Sequence, residues 1–244
     1  MVTPYYSEGG IEIYLGDCRE ILPGMSADAI ITDPVWPNSI FPKVLDPLAL
    51  LEESLAYASA DRVVVQLGCD SDPRFLAAVP RRWPFIRVCV LDYAKPSYKG
   101  RLIYGGDIAY VFGAIPKTGR KLIPGLCIST RHDSMFRRSN WNGPAKRFNR
   151  TADNAAKMPH PAPRRLQHVQ WLCKWFGGAS VIDPFMGSGT AALACRSLGI
   201  KFTGIEIEER FCALAAKRLS QQVMDFGPSP ETQAVQPMLE EVQG

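Results

Sequence analysis

The sequence predicts an α/β protein with a mostly parallel sheet, and three observations lead to that reading. Apolar runs of strand length alternate with segments of helical period along most of the 244 residues. Between 179 and 206, a strand, the turn Gly187-Ser188-Gly189, a small-residue helix and a strand ending at Glu206 form one βαβ unit. Aperiodic sequence is confined to 131–163, which is rich in Asn, Pro and Arg, and to the polar, Pro-rich tail after Phe226.

Taken in order, Ile11–Leu15 and Asp28–Thr32 are short apolar runs, the second stopping at Asp33-Pro34. Leu48, Leu51, Leu55 and Ala58 recur at helical spacing. Arg62–Leu67 and Phe85–Leu91 are rich in Val and Ile and read as strands, followed by Asp107–Gly113 and Leu122–Ser129. Leu166, Val169, Cys173 and Phe176 mark a helix that ends at Gly177-Gly178. Ala179–Ile182 is a strand, Ala191–Leu198 a helix stopped by Gly199, and Lys201–Ile205 a strand. Glu208–Gln221 is a helix with acids in its first turn and Lys217 and Arg218 in its last, the arrangement its dipole favours.

With 46% hydrophobic and 21% charged residues, the composition excludes a mainly disordered chain, and 20 Gly and 20 Pro without period exclude a collagen or a coiled coil. The net charge of +4 conceals an asymmetry. Residues 117–165 hold 12 lysines and arginines against Asp133 and Asp153, a local +10 that leaves the remainder near −6. Seven cysteines without a CxxC pair, and three histidines without HExxH spacing, suggest neither a disulfide framework nor a metal site. No signal-peptide pattern and no apolar run near ~20 residues is visible, so a cytoplasmic protein without a membrane partner is expected.

The unit around Gly187-Ser188-Gly189 satisfies GxGxxA through Ala192, which admits a dinucleotide. Asp183-Pro184 argues against it, because a carboxylate at the strand tip repels a pyrophosphate and welcomes a cationic amino group. Only 38 residues follow Glu206, so the remaining strands come from the N-terminal part of the chain. Upstream, Asp33-Pro34-Val35-Trp36 follows a strand, at the edge where an open parallel sheet places its chemistry. A carboxylate and a carbonyl that accept both hydrogens of an amino group, beside a stacking aromatic, suit a planar amine substrate.

Asp33-Pro34-Val35-Trp36 early and Asp183-Pro184-Phe185-Met186-Gly187-Ser188-Gly189-Thr190 late together resemble the catalytic and S-adenosylmethionine motifs of DNA amino-methyltransferases of the β class. Gly16-Asp17 with the following DAIIT, His160-Pro161-Ala162-Pro163 before Arg164-Arg165-Leu166, and Thr203-Gly204-Ile205-Glu206-Ile207 extend the resemblance over most of 11–219. Val35 departs from the usual Asp-Pro-Pro-Tyr/Trp form, which leaves the stiffness of the loop and the shape of the base pocket open.

The resemblance implies a Rossmann-like class I methyltransferase fold with a circularly permuted motif order. It divides the chain into a catalytic half (1–116), a basic target-recognition insertion (117–165), a cofactor-binding half (166–225) and a flexible tail (226–244). It implies catalysis by Asp33, Pro34 and Trp36 on a flipped base of double-stranded DNA, adenine N6 favoured by the Asp that heads the motif and cytosine N4 the alternative. S-adenosylmethionine would meet Asp17 at its adenine amine, Ile207 at its adenine face, Glu206 at its ribose and Asp183 and His160 at its methionyl end. Phe185, Gly187, Ser188, Gly189 and Thr190 complete the cofactor loop. Lys117, Arg120, Lys121, Arg131, Arg137, Arg138, Lys146, Arg147 and Arg150 fall where the family reads its target, with Trp141, Asn140 and Asn142 among them. Some fifty residues is short for that task, which suggests a short or relaxed target or a second subunit, and a restriction endonuclease acting on the same site is a further expected partner. RNA as substrate, a DNA-docking protein with little catalysis, and a dehydrogenase stand as competing readings.

Overall fold

The computed structural model describes residues 2–37, 44–68, 71–99, 102–116, 128–129 and 164–221. Among the described residues nine strands form one sheet: β1 Tyr6–Glu8, β2 Ile11–Leu15, β3 Ser26–Thr32, β4 Ser59–Leu67, β5 Phe85–Lys99, β6 Leu102–Gly113, β7 Ile128–Ser129, β8 Ser180–Asp183 and β9 Lys201–Glu206. The helices are α1 Cys18–Ile21, α2 Pro47–Tyr57, α3 Leu166–Phe176, α4 Thr190–Leu198 and α5 Glu209–Ser220, with a 3₁₀ turn at Pro73–Ala78.

The strand order is β1-β2-β9-β8-β3-β4-β6-β5-β7. The five neighbours β2, β9, β8, β3 and β4 run parallel. Beyond them β4, β6 and β5 pair antiparallel. The late βαβ unit, β8-α4-β9, is therefore inserted between two early strands, β2 and β3, which is the permuted order read from the motifs. The parallel centre needs both faces covered, and successive side chains of each strand alternate between them. Ala29, Ile31, Val181 and Phe202 pack with Trp171, Phe176 and Ala192 under α3, α4 and α5. Ile30, Ile182 and Ile205 pack with Leu51, Leu55 and Phe75 on the opposite face.

Most boundaries fall within three residues of the sequence reading, β1 has no counterpart in it, and two strands run well beyond it. β5 runs on to Lys99 and β6 begins at Leu102, because the strands pair with each other as one long antiparallel ribbon past a register shift between Asp92 and Ser97. Cross-strand hydrogen bonds sustain a polar stretch that apolar period alone does not register. Of the strand expected at Leu122–Ser129, the described residues hold Ile128–Ser129, beside β5. Asp46 caps α2 by accepting from the Ala49 N–H at 3.0 Å, with Pro47 as its first residue.

Candidate active site

Four adjacent parallel strands each deliver an acid to the carboxyl edge of the sheet. Asp17 follows β2, Glu206 ends β9, Asp183 ends β8 and Asp33 follows β3. Neighbouring strands lie about 4.8 Å apart, so residues far apart in sequence become one acidic row. Register makes it so: Leu15 pairs with Glu206, Asp183 with Gly204, and Ile30 with Ile182.

Backbone and hydroxyl donors hold the inner members. Glu206 accepts the Gly187 N–H on Oε2 at 2.9 Å and the Glu208 N–H on Oε1 at 2.8 Å. Burial nevertheless raises its pKa, against the pull of those N–H groups. Asp183 accepts the Thr32 hydroxyl at 2.8 Å and the Phe185 N–H at 3.1 Å, both on Oδ1. Its pKa is pushed up to about 7, first by burial and further by the charges of Asp33 and Glu206. Asp17 caps α1 and pairs with the Arg19 guanidinium at 2.6 Å, which holds its carboxyl below the usual range. Arg19 also reaches Glu53, at 3.0 Å.

A cavity of about 640 Å³ opens along this row, a size suited to a small ligand. Of the expected site residues, Asp17, Asp33, Pro34, Trp36, Phe185, Gly187, Glu206 and Ile207 line it. Val35 and Leu50 add to its wall. Asp183, Ser188 and Thr190 are buried, and Gly189 packs away from it. Gly189 has φ +79°, and a Cβ there would meet the Ala215 Cβ at 2.6 Å, so this glycine admits α5 rather than a ligand. From α5, Arg218 Nη1 donates to the Ser188 carbonyl at 2.5 Å and the Ser188 hydroxyl at 3.2 Å, bracing the loop from behind. Gly187, at φ +55°, is the loop glycine that faces the cavity.

The Asp33 loop holds a contact that motif reading did not anticipate. Arg164 donates from Nε to Asp33 Oδ2 at 2.7 Å and from Nη2 to Oδ1 at 2.8 Å, and its Nη1 meets Asp107 Oδ2 at 2.8 Å. The same guanidinium lies 4.5 Å from the centroid of the Trp36 ring. Burial acts to pull the Arg164 pKa down, but the two carboxylates outweigh it and hold the group charged. The sequence signal for Asp107 is a lone acid in an otherwise apolar strand. Arg164 was visible only as part of the basic segment and of the motif before α3.

His160 and the nine basic residues Lys117, Arg120, Lys121, Arg131, Arg137, Arg138, Lys146, Arg147 and Arg150, with Asn140, Trp141 and Asn142, lie outside the described residues, as does the tail beyond 221. Among the described residues, no three His, Cys, Asp or Glu are placed to hold a metal ion. None of the described helices is long and apolar enough to cross a membrane.

Comparison with known proteins agrees with this geometry. Over 86% of this chain and 99% of that one, the fold matches the crystal structure of the M1.HpyAVI–SAM complex, with a TM-score of 0.57 at 23% identity. The PvuII DNA methyltransferase (cytosine-N4-specific) matches over 91% of both chains, with a TM-score of 0.55 at 18% identity. Among curated proteins, the type II methyltransferase M.SmaI of Serratia marcescens is 34% identical over 80 residues, 30% of this chain and 27% of its own length. M2.LlaDCHI of Lactococcus lactis subsp. cremoris is 44% identical over 67 residues, 28% of this chain and 25% of its own. These alignments thus span about a quarter of the length of the curated relatives. The sequence pattern of the N6/N4 DNA methylase family matches residues 86–217, more than half of the chain. With the permuted class I methyltransferase sheet and the acidic cleft at its carboxyl edge, that match shows that the chain belongs to the N6/N4 DNA methylase family.

Proposed function

We propose that this chain transfers a methyl group from S-adenosylmethionine to the exocyclic amine of a base flipped out of double-stranded DNA, with adenine N6 as acceptor. The observation that carries the reading is one cavity shared by Asp33, Pro34 and Trp36 of the N-terminal half and Gly187, Glu206 and Ile207 of the C-terminal half. Such sharing is what a bimolecular transfer needs, since most of its acceleration comes from holding two reactants in line.

The residues fit the cofactor. Asp17 and Asp33 are met by arginines, whereas Asp183 and Glu206 are held by hydroxyl and N–H donors and have raised pKa values, so the middle of the row suits a ligand bearing an ammonium and a sulfonium. When bound, S-adenosylmethionine supplies an electrophilic methyl group on its sulfonium. Asp183 would hold the methionyl amino group, Glu206 the ribose hydroxyls and Asp17 the adenine amine, with Ile207, 55% exposed, against the adenine face. His160 would border the methionyl end. Ser188, Gly189 and Thr190 serve the cofactor indirectly, by fixing the loop on α5.

The amine of adenine is a poor nucleophile because its lone pair is delocalised into the ring. Asp33 and the Pro34 carbonyl, accepting its two hydrogens, stabilise the positive charge that develops on nitrogen during attack. Trp36 offers the face on which the flipped base stacks. The basic residues of 117–165 would track the phosphates. In this reading 1–116 is the catalytic half, 166–225 the cofactor half, and 226–244 takes no part in the chemistry.

The Asp that heads the motif favours adenine; the related fold of the cytosine-N4-specific PvuII enzyme makes cytosine N4 the alternative acceptor. Single-molecule sequencing of DNA from a methylation-free host expressing the chain, with nucleoside analysis, tests both. N6-methyladenine is the expected product. N4-methylcytosine would reassign the acceptor, and unmodified DNA would overturn the reading in favour of a docking protein.

A further inference from the structure

The Asp107–Arg164–Asp33 chain is built from three separate elements. Asp107 lies in β6, paired with Leu91 across the ribbon. Asp33 follows β3, and Arg164 precedes Arg165, the N-cap of α3, whose carbonyl accepts from the His168 and Val169 N–H groups. The guanidinium is thus fixed to a helix start and a strand, while the loop it grips is neither. The Arg164 side chain is 11% exposed and that of Asp107 8%. A buried ion pair contributes little net stability against hydrophobic packing, so its value here lies in geometry.

We propose that Arg164, anchored by Asp107, is a positioning residue for methyl transfer: it sets the plane of the Asp33 carboxylate and the tilt of the Trp36 ring with one rigid group. The proposal rests on the reading of Asp33 and Trp36 as the groups that receive the target base. Three features carry it. The fork is bidentate, and two parallel N–H···O bonds fix a carboxylate's rotation where one bond leaves it free. Asp33 lines the cavity, whereas Arg164 is not among the residues that do, so Arg164 acts on the cavity through the carboxylate it holds. The Arg164 guanidinium carbon also lies 4.5 Å from the Trp36 ring centroid, so carboxylate and ring share one reference. Asp107 has an electrostatic part as well. A lone cation beside Asp33 would oppose positive charge on the attacking nitrogen, and the second carboxylate leaves the group of three at −1.

A lysine supplies the charge but neither the fork nor the stacking plane, which makes Arg164→Lys the informative variant. Single-turnover methyl transfer by the full chain to duplex DNA at saturating cofactor is the measurement, with cofactor and DNA affinities by titration calorimetry. Arg164→Lys and Arg164→Ala should lose about 100-fold in rate, the size associated with ångström-scale misplacement, with both affinities held within about threefold. Ethylguanidinium should restore part of the Arg164→Ala rate and leave the wild-type rate unchanged. Asp107→Asn should show a smaller loss in the same rate.

Rates within threefold of wild type in folded variants would overturn the proposal, as would a loss that merely follows lost cofactor binding. A faster Arg164→Ala enzyme would also overturn it, since Arg164 would then be standing in the place of the base. A second readout needs no activity: ¹⁹F spectra of 5-fluorotryptophan-labelled protein, with Trp36 assigned through Trp36→Phe. The Trp36 resonance should move in Arg164→Lys while those of Trp83, Trp171 and Trp175 stay, and an unmoved Trp36 signal refutes the geometry. A wild-type chain that transfers no methyl overturns the functional reading instead, and the ¹⁹F result still decides whether Arg164 sets Trp36.

Discussion

The Thr32 hydroxyl donates to the Asp183 carboxylate across 2.8 Å, joining the last residue of β3 to the last residue of β8. The two lie 151 positions apart in sequence. Thr32 immediately precedes Asp33, so one hydrogen bond couples the two carboxylates proposed to hold the amine and the cofactor. Thr32→Val keeps the shape and removes the donor. A hydrogen bond to a charged group is worth about 1.5–3 kcal/mol, so cofactor affinity should fall at least roughly tenfold. Calorimetry across pH should also show the midpoint of cofactor binding moving upward, because the ionised form of Asp183 has lost a donor.

Asp183 also carries a stability cost with a definite sign. Its folded pKa is raised to about 7 by burial, against about 3.9 in an unfolded chain. Between those values the folded state holds a proton that the unfolded state releases, so stability falls as pH rises from about 4 to 7 and the loss is complete above 7. Asp183→Asn removes that penalty while retaining an acceptor for Thr32. The variant should melt several degrees above wild type at pH 8, a gain that shrinks toward pH 4, and should lose cofactor binding. A lower melting temperature at pH 8 would refute this account.

Asp33 is where catalysis and packing separate by choice of substitution. Asp33→Ala leaves Arg164 buried with one of its two carboxylates, and breaking a buried pair costs about 3–5 kcal/mol. Asp33→Asn keeps the shape and one acceptor for the Arg164 fork, but sets an amide NH2 against its other donor. Both should abolish methyl transfer, and the alanine variant should show the larger fall in the urea midpoint. Cofactor affinity should stay near normal in the asparagine variant.

Gly189→Ala tests whether the loop glycine serves the ligand or the helix behind it. At φ +79°, with the Ala215 Cβ 2.6 Å from the added methyl, the substitution should cost about 1–3 kcal/mol of stability by overpacking. Combining it with Ala215→Gly should recover the part due to the clash but not the backbone strain, an interaction visible in a double-mutant cycle.

The basic segment yields a prediction in salt dependence. Replacing Arg137, Arg138, Arg147 and Arg150 with glutamine should weaken DNA binding and reduce the slope of log K against log salt by about 0.9 for each lost phosphate contact. Cofactor affinity should be unchanged. An unaltered slope would move the DNA-binding face elsewhere.

Local order was legible in the sequence wherever one residue pattern determines one local structure. Alternating apolar runs placed β2, β3, β4, β8 and β9, and helical period placed α2, α3, α4 and α5, within a few residues of where they stand. The Gly187–Thr190 turn and the acids at the strand tips were equally visible, because backbone conformation and strand ends depend on neighbours in sequence. Four acids at four strand tips become a site only when register sets β9 and β8 between β2 and β3, and register is a property of the whole sheet. The motif reads Gly189 as ligand-facing, whereas in the fold it packs against Ala215. The contact of Arg164 with Asp33, Asp107 and Trp36 depends on three segments meeting at distances of a few ångströms. Apolar period and strand-end acids carry most of the elements and the chemistry at each strand tip. Which of those groups touch, and that Arg164 stands behind Asp33, follows from tertiary packing, since hydrogen bonds and ion pairs act over ångströms while sequence pattern records only order along the chain.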